Sequence, residues 1–345
     1  MEAPIDSEDR FMKAYEIRSP DGIDALHLAE RPSPTPGPGE VLVRLRANSI
    51  NYRDLQTVLN PEPRGIVYPR IPNSDGAGEV VEVGTGVTRW KPGDRVAGTF
   101  FQRWIGGPIT PAAMASALGG ALDGLLCEHA VLKEDGLVAI PGHLSYEEAA
   151  TLPCAGLTAW HILVGLGRIE AGDTVLLLGT GGVSIFALTF ARLHGARAIV
   201  TSSSDEKLAR ATELGAWRTI NYRAKPDWEK EVLALTEGRG VDLVAEVGGA
   251  GTLERSIEAV RIGGAIGLVG VLTGGQIDPV NIMRKSLRLQ GIYVGSRAMF
   301  EDMNRALAAH EARPVIDSRF GFEEARAAFH HMQGAAHFGK IVITI

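Results

Sequence analysis

From residue 172 onward, short apolar runs alternate with segments of helical periodicity, and this alternation constrains the fold more than any other feature. The run TVLLLG at 174–179 is apolar, as expected of a parallel strand covered on both faces. The helical segments that follow, such as 183–196 and 205–216, end beside glycines. The pattern therefore predicts an α/β fold with a doubly wound parallel sheet. Its predicted strands are 174–179, 198–202, 219–222, 241–248, 265–272 and 287–295.

The first 150 residues have a different pattern, in which short β-rich runs stand between Pro/Gly clusters. Residues 41–50 alternate as a half-buried strand does, and 76–98 indicates strand, tight turn and strand. This half of the chain predicts a small barrel-like β domain, and the final run KIVITI predicts a strand that returns to it. Residues 1–11 are acidic and unpatterned, so we expect a disordered extension before a strand that begins near Met12.

Composition excludes several classes of protein. The chain has 41 acidic and 35 basic residues, a net charge of −6, which argues against nucleic acid or an anionic membrane as partner. Its two cysteines, Cys127 and Cys154, exclude a disulfide scaffold and a four-cysteine zinc lobe. With no signal peptide and no clean apolar span in the sequence, we expect a cytoplasmic enzyme that acts on a small molecule.

A glycine-rich loop, residues 179–184 (GTGGVS), stands between the first predicted strand of the α/β region and its helix. The glycines permit a tight turn close to a pyrophosphate, and the helix N-terminus supplies free N–H groups. Ser184 takes the third glycine position and is small enough for close packing of helix on strand. The loop predicts a dinucleotide site with contacts from Thr180, Gly181, Gly182 and Val183.

The end of the second strand of this region indicates which dinucleotide binds. A NAD-preferring site usually places a carboxylate there, whereas this chain has the run TSSS at 201–204. Hydroxyls and nearby cations suit a 2′-phosphate, so the sequence predicts NADPH rather than NADH. We interpret Asp205 as the N-cap of the next helix. The residues predicted at the phosphate are Ser202, Ser203, Lys207 and Tyr222.

Several motifs occur together and in a fixed order: NYRDL (51–55), NSDGAGEVVEVG (73–84), KPGDRV (91–96), LPCAGLTAW (152–160), GTGGVS (179–184), GVDLVAEVGG (240–249) and HFGKIVI (337–343). Through them the chain resembles the medium-chain dehydrogenase/reductase superfamily over nearly its whole length, and within it the zinc-free, quinone-oxidoreductase-like branch. The resemblance implies a GroES-like β-barrel catalytic domain, 12–155 with 297–345, and a Rossmann dinucleotide-binding domain, 156–296. It also implies a homodimer joined through sheet edges.

Departures from the zinc-containing members point to the same branch. Those members place a ligand cysteine where Asn51 stands and a ligand histidine where Ser74 stands, and only Cys154 matches a ligand position. One soft ligand cannot hold a catalytic zinc, which needs three protein ligands, so we expect no metal. In place of the structural-zinc lobe, we expect residues 100–124 to form a flap that includes an apolar helix over Ala112–Leu122.

Without a metal, the protein must polarise its substrate by hydrogen bonds. Quinones, and carbons β to a carbonyl, accept hydride under these conditions because the charge spreads into an enolate. The predicted activity is therefore NADPH-dependent reduction of a quinone or an α,β-unsaturated carbonyl. The resemblance nominates Asn51, Tyr52 and Thr158 as catalytic, while a packed core tyrosine at position 52 stays an equal alternative.

Topology predicts further cofactor contacts, because ligands of such sheets lie at the carboxyl ends of the strands. The residues concerned are Val247, Gly248, Val269, Gly270, Val271, Val294, Gly295 and Ser296, with Phe338, Gly339 and Lys340 in the returning tail. Two other functions remain open at this point. They are a zinc-free alcohol or aldehyde dehydrogenase and a noncatalytic NADPH-binding redox sensor.

Overall fold

The computed structural model describes residues 11–270 and 272–345. Residues 1–10 of the predicted extension lie outside the described residues, as does Val271. Phe11 was expected to belong to the extension, but it is the first residue of a strand. The chain divides into two compact units, of which the first comprises Met1–Cys154 with Ser296–Ile345 and the second comprises Ala155–Gly295.

The strands are β1 (Phe11–Glu16), β2 (His27–Pro32), β3 (Glu40–Ile50), β4 (Asp75–Val83), β5 (Arg95–Gly98), β6 (His129–Lys133), β7 (Leu137–Ala139), β8 (Thr174–Leu178), β9 (Arg197–Ser202), β10 (Arg218–Asn221), β11 (Val241–Glu246), β12 (Val260–Leu268), β13 (Arg288–Gly291), β14 (Ile316–Gly321) and β15 (Lys340–Thr344). The α-helices are α1 (Tyr52–Leu59), α2 (Pro111–Met114), α3 (Tyr146–Ala150), α4 (Leu157–Trp160), α5 (Gly182–Leu193), α6 (Asp205–Glu213), α7 (Trp228–Leu235), α8 (Ala250–Ala259), α9 (Val280–Arg284), α10 (Arg297–Ala309) and α11 (Ala325–Gln333). Two π-helical segments, Leu152–Gly156 and His161–Leu166, flank α4.

The second unit contains a six-stranded sheet in the order β10-β9-β8-β11-β12-β13. Each neighbouring pair is parallel, which confirms the doubly wound sheet expected from the apolar runs. All five residues of β8 are buried, as the position of this strand inside the sheet requires. The core of the unit is formed by residues of the sheet, such as Leu176 and Ile199, together with Trp228 and Leu253 from the helices.

The first unit contains a seven-stranded sheet in which β14-β15-β3-β4-β5-β7 are consecutive and β6 also pairs with β3. β1 and β2 form a separate antiparallel pair. β15 pairs antiparallel with β3 and parallel with β14, so the final strand returns to this unit as predicted. β3 ends at Ile50, directly before the first candidate catalytic residue.

Residues 100–124, the flap, differ from the sequence-based expectation. The helix predicted over Ala112–Leu122 is wrong, because α2 ends at Met114. The chain doubles back so that Ala117 pairs with Phe101. Gly119 then has a φ of +63°, and a Cβ there would lie 2.8 Å from the backbone of Asn73, so the turn requires glycine. Among the described residues, no helix combines the length and apolarity needed to cross a membrane.

Candidate active site

The glycine loop of the second unit follows β8 and leads into α5. Gly179 has a φ of +73°, and its N–H donates to Thr201 Oγ1 at 3.2 Å. Ser184 is buried, and its hydroxyl donates to the Leu178 carbonyl at 2.6 Å. This small polar residue therefore links the start of α5 to the end of β8 by a hydrogen bond. Gly181 is the N-cap of α5, with an ordinary φ of −76°. A Cβ on Gly181 would meet no atom of the described chain within 4 Å, so the protein's own packing does not require glycine here.

The open space at Gly181 fits the pyrophosphate of a dinucleotide. The remaining predicted loop residues lie at the same helix start, since Gly182 and Val183 are the first two residues of α5 and Thr180 is buried just before it. The first N–H groups of an α-helix lack partners within the helix, and the helix dipole favours an anion there. The loop therefore has the backbone donors and the room that a phosphate needs.

The residues predicted at the 2′-phosphate come together at the ends of β9 and β10. Ser202 is the last residue of β9, and its carbonyl accepts the Tyr222 N–H at 3.1 Å. Ser203 is half-buried, and the Tyr222 side chain is exposed. Lys207 lies in the first turn of α6, and its N–H donates to Ser204 Oγ at 3.3 Å.

The interpretation of Asp205 as the N-cap of α6 is wrong, because Ser204 holds that position. Its hydroxyl oxygen accepts the N–H of the third helical residue, which a serine N-cap does well. Asp205 is the first residue of the helix, and its carboxylate instead accepts Asn221 Nδ2 at 2.7 Å. The carboxylate is thus held by a neighbouring amide at the edge that carries Ser202 and Ser203.

The ends of β11 and β12 are in direct contact. A Cβ on Gly270 would lie 2.0 Å from the Val247 carbonyl carbon, so only glycine fits there. The N–H groups of Val269 and Gly270 donate to the Glu246 carbonyl at 2.9 and 3.0 Å. Four of the predicted cofactor residues, Val247, Gly248, Val269 and Gly270, are therefore brought together. Val271 lies outside the described residues.

Glu246 organises this strand end, and the sequence-based analysis missed it. Its buried carboxylate accepts the Gly248 N–H at 2.7 Å, the Gly249 N–H at 3.1 Å and the Thr252 hydroxyl at 2.6 Å. It also accepts the Ser256 hydroxyl. The Gly248 N–H is therefore already engaged by the protein. A carboxylate inside the apolar run VDLVAEV was the signal that could have identified it.

Thr158 and a second missed residue, His161, lie one helical turn apart. Both side chains are buried. His161 Nδ1 lies 2.7 Å from the Val294 carbonyl oxygen, which only accepts, so Nδ1 carries the proton. Val294 has a φ of +58°, an outlier for a β-branched residue. Burial lowers the pKa of His161. A Cβ on Gly165 would lie 2.7 Å from His161 Cδ2, so that glycine makes room for the ring.

Asn51 of the first unit lies at the junction of β3 and α1, where it is the N-cap. Its N–H donates to Asp54 Oδ2 at 2.9 Å, which closes the first turn of the helix. Its side chain is buried, and its Oδ1 accepts Lys340 Nζ at 2.5 Å. Among the described residues, Asn51 Nδ2 has no hydrogen-bond partner. The carbonyl end of the amide is thus held, and the NH₂ end is available.

A cluster of buried ionisable groups surrounds Asn51. Asp75 accepts the Ser74 hydroxyl at 2.6 Å and the Cys154 N–H at 3.0 Å. Burial raises the pKa of Asp75 to about 6, against the opposing charge of Lys340. The Asn51 amide lies close enough to lower the pKa of that carboxyl, although Asn51 Nδ2 makes no hydrogen bond of normal geometry. Burial and the nearby Asp75 raise the pKa of the Cys154 thiol well above its usual range.

Tyr52 is not a packed core residue. Its side chain is 41% exposed, and its hydroxyl oxygen accepts Gln56 Nε2 at 3.1 Å from the next turn of α1. The adjacent Arg53 connects α1 to the flap. Its Nη1 donates to the carbonyls of Leu118 and Gly119 at 2.9 and 3.2 Å. Tyr52 is therefore the first residue of a helix that is held by the Asn51 cap and by the hydrogen bonds of Arg53 to the flap.

Four of the remaining predicted cofactor residues, Ser296, Phe338, Gly339 and Lys340, make their contacts within the first unit. The Ser296 hydroxyl caps α10 by accepting the Met299 N–H at 3.3 Å. The Phe338 N–H donates to Asp317 Oδ1 at 2.9 Å. Gly339 has a φ of +85°, and a Cβ there would lie 2.5 Å from the Val315 carbonyl oxygen. Lys340 donates to Asn51 and to the Ile50 carbonyl at 2.8 Å, so its ammonium is directed at Asn51. Gly295 follows the strained Val294.

Comparison with known proteins adds an independent line of evidence. Residues 37–142 match the family model of the alcohol dehydrogenase GroES-like domain, and residues 182–309 match that of zinc-binding dehydrogenases. A zinc-type alcohol dehydrogenase-like protein from Schizosaccharomyces pombe is 43% identical over 333 residues, 94% of this chain and 96% of the relative. A quinone oxidoreductase from Pseudomonas aeruginosa is 31% identical over 337 residues, 93% of this chain and 96% of the relative.

Further similar proteins include a crotonyl-CoA reductase and two proteins of known structure. A crotonyl-CoA reductase from Streptomyces collinus is 28% identical over 379 residues, 97% of this chain and 85% of the relative. A putative alcohol dehydrogenase of known structure from Sinorhizobium meliloti superposes with a TM-score of 0.91 at 43% identity, covering 97% of this chain and 99% of that one. A crotonyl-CoA carboxylase/reductase solved with NADP gives 0.86 at 26% identity, covering 100% and 97%. The chain therefore belongs to the medium-chain dehydrogenase/reductase superfamily, whose members are pyridine-nucleotide-dependent oxidoreductases.

Proposed function

We propose that this chain is a zinc-independent, NADPH-dependent reductase that transfers hydride to a quinone or an α,β-unsaturated carbonyl. One observation carries the proposal. Where a metal-dependent relative would need anionic or imidazole ligands, this chain has a buried amide, Asn51, whose oxygen is held by the ammonium of Lys340. Its NH₂ group is left available to hydrogen-bond a substrate oxygen.

The residues at this position do not fit a zinc ion. Zinc in catalytic sites takes three protein ligands from Cys, His, Asp and Glu. Cys154 is the sole thiol of the cluster, and the two positions that hold the other ligands in zinc-containing relatives are Asn51 and Ser74, neither of which is a zinc ligand. Lys340 adds a positive charge next to Asn51, which repels a second cation. Among the described residues, no group of three or more His, Cys, Asp or Glu side chains has a metal-binding arrangement.

The substrate class follows from the groups available. A delocalised enolate needs less stabilisation than a localised alkoxide, so a neutral amide donor is sufficient for the enolate, whereas the alkoxide benefits more from a Lewis acid. NADPH supplies the hydride when it is bound. In this proposal Asn51 holds the substrate oxygen and the exposed Tyr52 hydroxyl is the proton donor. The relatives named quinone oxidoreductase and crotonyl-CoA reductase support this class of acceptor.

NADPH is favoured over NADH by the edge formed by β9 and β10. Ser202 and Ser203 stand at the strand tip, with Lys207 and the exposed Tyr222 around them. Hydroxyl donors and a cation suit a 2′-phosphate. Asp205 lies at the same edge, but its carboxylate is already held by Asn221. The NADP bound by the crotonyl-CoA carboxylase/reductase of known structure is consistent with this preference.

We further propose a homodimer formed through a sheet edge of the second unit. β13 is an edge strand, and exposed apolar side chains occur close to it in sequence, including Met283 and Tyr293. An unpaired strand edge with apolar side chains is suited to pairing with a second copy. Light scattering of the purified protein should give twice the mass of 36.8 kDa, and a monomer at micromolar concentration would contradict this assignment.

The test of the proposed activity is NADPH oxidation by the purified protein, with and without a chelator. The acceptors are a quinone, an enone, a saturated ketone and an aldehyde. Chelator-insensitive turnover of the quinone or enone supports the proposal and identifies the acceptor class. Activity on the ketone or aldehyde alone, or loss of activity with chelator, would favour an alcohol dehydrogenase. Tight NADPH binding with no turnover would favour a noncatalytic redox sensor.

A further inference from the structure

Lys340 is a buried cation at the start of an apolar strand. Its residue is 3% exposed, and the rest of β15 is buried or half-buried and mostly apolar. Burial lowers the pKa of Lys340, and the negative charge of Asp75 opposes that effect. A buried ammonium is costly unless its hydrogen bonds are satisfied. Here two acceptors, the Ile50 carbonyl and Asn51 Oδ1, lie at 2.8 and 2.5 Å.

The bond to Lys340 fixes which way round the Asn51 amide lies. An ammonium has three donors and no acceptor, so it bonds only to the oxygen of an amide. With Oδ1 held by Lys340, Nδ2 must be on the opposite side. Nδ2 is buried and, within the described part of the chain, has no hydrogen-bond partner. An unpartnered buried donor is rare in folded proteins, which points to a partner that the protein itself does not supply.

A hydrogen bond from a cation also changes the amide electronically. It draws electron density toward the carbonyl oxygen and makes the N–H groups stronger donors, since hydrogen bonds in a chain polarise one another in a low-dielectric interior. The positive charge of Lys340 is thus transmitted through Asn51 to the position of Nδ2. The carboxylates that face the ammonium are Asp75 and Asp54, and neither makes a hydrogen bond of normal geometry to Nδ2.

We propose that Lys340 is a positioning residue. It orients and polarises the Asn51 amide so that Nδ2 donates a hydrogen bond to the carbonyl oxygen of the substrate as negative charge develops there. A buried ammonium acting through an amide thereby provides the electrostatic stabilisation that a metal ion supplies directly in a zinc enzyme. The inference rests on the proposed function, in which Asn51 is the donor. It replaces the expected contact between the Lys340 side chain and the cofactor.

The test is a double-mutant cycle on the full chain, with the quinone or enone that gives turnover. The variants are Asn51→Ala, Lys340→Met and the combination of both. Lys340→Met should lower kcat by roughly 10- to 100-fold, the usual effect of losing a charge-assisted hydrogen bond that acts in the transition state. The Kd for NADPH, measured by fluorescence, should change by less than roughly threefold. The double variant should be no slower than Asn51→Ala, because Lys340 acts only through the amide.

Lys340→Gln covers the case in which Lys340→Met fails to fold. Glutamine donates a neutral hydrogen bond to Asn51 Oδ1, so it keeps the orientation and loses the polarisation, and its kcat should lie between those of the wild type and Lys340→Met. Additive losses in the double variant, or a raised Kd for NADPH with kcat unchanged, would overturn the inference. If Asn51→Ala itself leaves kcat unchanged, the assignment of Asn51 in the proposed function fails instead.

Discussion

His161 donates its Nδ1–H to the carbonyl oxygen of Val294 at 2.7 Å, across 133 residues of sequence. Val294 is held with a φ of +58°, a conformation that costs a β-branched residue of the order of 1–3 kcal/mol. Such strain persists only where surrounding contacts enforce it. One buried imidazole thus fixes the backbone at the end of β13, where the topology of the sheet predicts a cofactor contact.

Replacing His161 tests this relationship. His161→Phe leaves the Val294 carbonyl buried without its donor, so local opening of residues 292–296 should become easier by about 1–3 kcal/mol. Hydrogen exchange of the amides in that segment is the measurement, and kcat should fall with it. His161→Asn places a donor near the position of Nδ1 and should retain most of the protection. Equal exchange in all three proteins would show that Val294 is held by other contacts.

Ser203→Asp should invert the preference between NADPH and NADH. The new carboxylate would lie beside the 2′-phosphate, and repulsion between like charges at a partly screened edge is expected to weaken NADPH binding by roughly 100-fold. NADH binding should improve, because the same carboxylate accepts hydrogen bonds from the ribose hydroxyls. Fluorescence titration gives both Kd values.

The matched control for Ser203→Asp is Ala171→Asp, an exposed position just before β8 and therefore at the amino end of the same sheet. It adds one negative charge and should leave both Kd values within roughly twofold, since exposed charges more than a Debye length apart are largely screened. An unchanged NADPH affinity in Ser203→Asp would remove this edge from the cofactor site.

Tyr52→Phe should lower turnover with little effect on NADPH binding. The phenol is exposed and its oxygen accepts only Gln56 Nε2 among its described contacts, so its proton is available to a substrate. Loss of a general acid commonly costs roughly 100-fold or more in kcat. Tyr146→Phe is the control, because its ring stacks on Arg95 at 4.7 Å and has no part in the site. Full turnover by Tyr52→Phe would exclude the phenol from the reaction.

The free energy of unfolding should depend on the ionisation of Asp75 between about pH 4 and pH 6. Burial raises the pKa of this carboxyl from 3.8 to about 6 in the folded state. In that window the folded form binds more protons than the unfolded form, so the Asp75 contribution to stability falls as pH rises. Relative to Asp75→Asn, the free energy of unfolding of the wild type should decrease by about 3 kcal/mol across the window and then level off.

Asp242 provides a control of opposite sign. Burial opposes its ionisation, but hydrogen bonds from Arg239 and Arg261 outweigh that effect and hold its pKa at about 2. Its contribution is present above pH 4 and is lost as pH falls from about 4 to about 2. Urea unfolding of the wild type, Asp75→Asn and Asp242→Asn across the pH range separates the two effects. A difference between wild type and Asp75→Asn that does not vary with pH would contradict the raised pKa.

Local patterns were enough to predict the α/β sheet and the glycine loop. Continuous apolar runs such as β8 need two covered faces, and a loop of glycines between strand and helix has few other uses. The flap was less predictable, because its turn at Gly119 depends on contact with the distant Asn73 backbone. Ser204 rather than Asp205 caps α6. Serine and aspartate are both favourable N-cap residues, so the sequence alone does not decide between these two neighbours.

The residues that complete the candidate site were beyond local reasoning. Asn51 and Lys340 are 289 positions apart, and nothing in either neighbourhood indicates the bond between them. His161 lies in a helical run whose other residues are mostly apolar, and its partner is a backbone carbonyl, which has no residue-type signature. Of these residues only Glu246 had a local signal, a carboxylate at the end of a buried and mostly apolar strand.

The position of β15 between β14 and β3 also imposes an order on biosynthesis. Residues 155–295 form one continuous stretch, so the second unit can fold as soon as that stretch has left the ribosome. Translation proceeds at about 5–20 residues per second. The sheet of the first unit then still lacks a strand that borders β3. Until β15 has been translated, Asn51 lacks the ammonium of Lys340 that holds its amide oxygen.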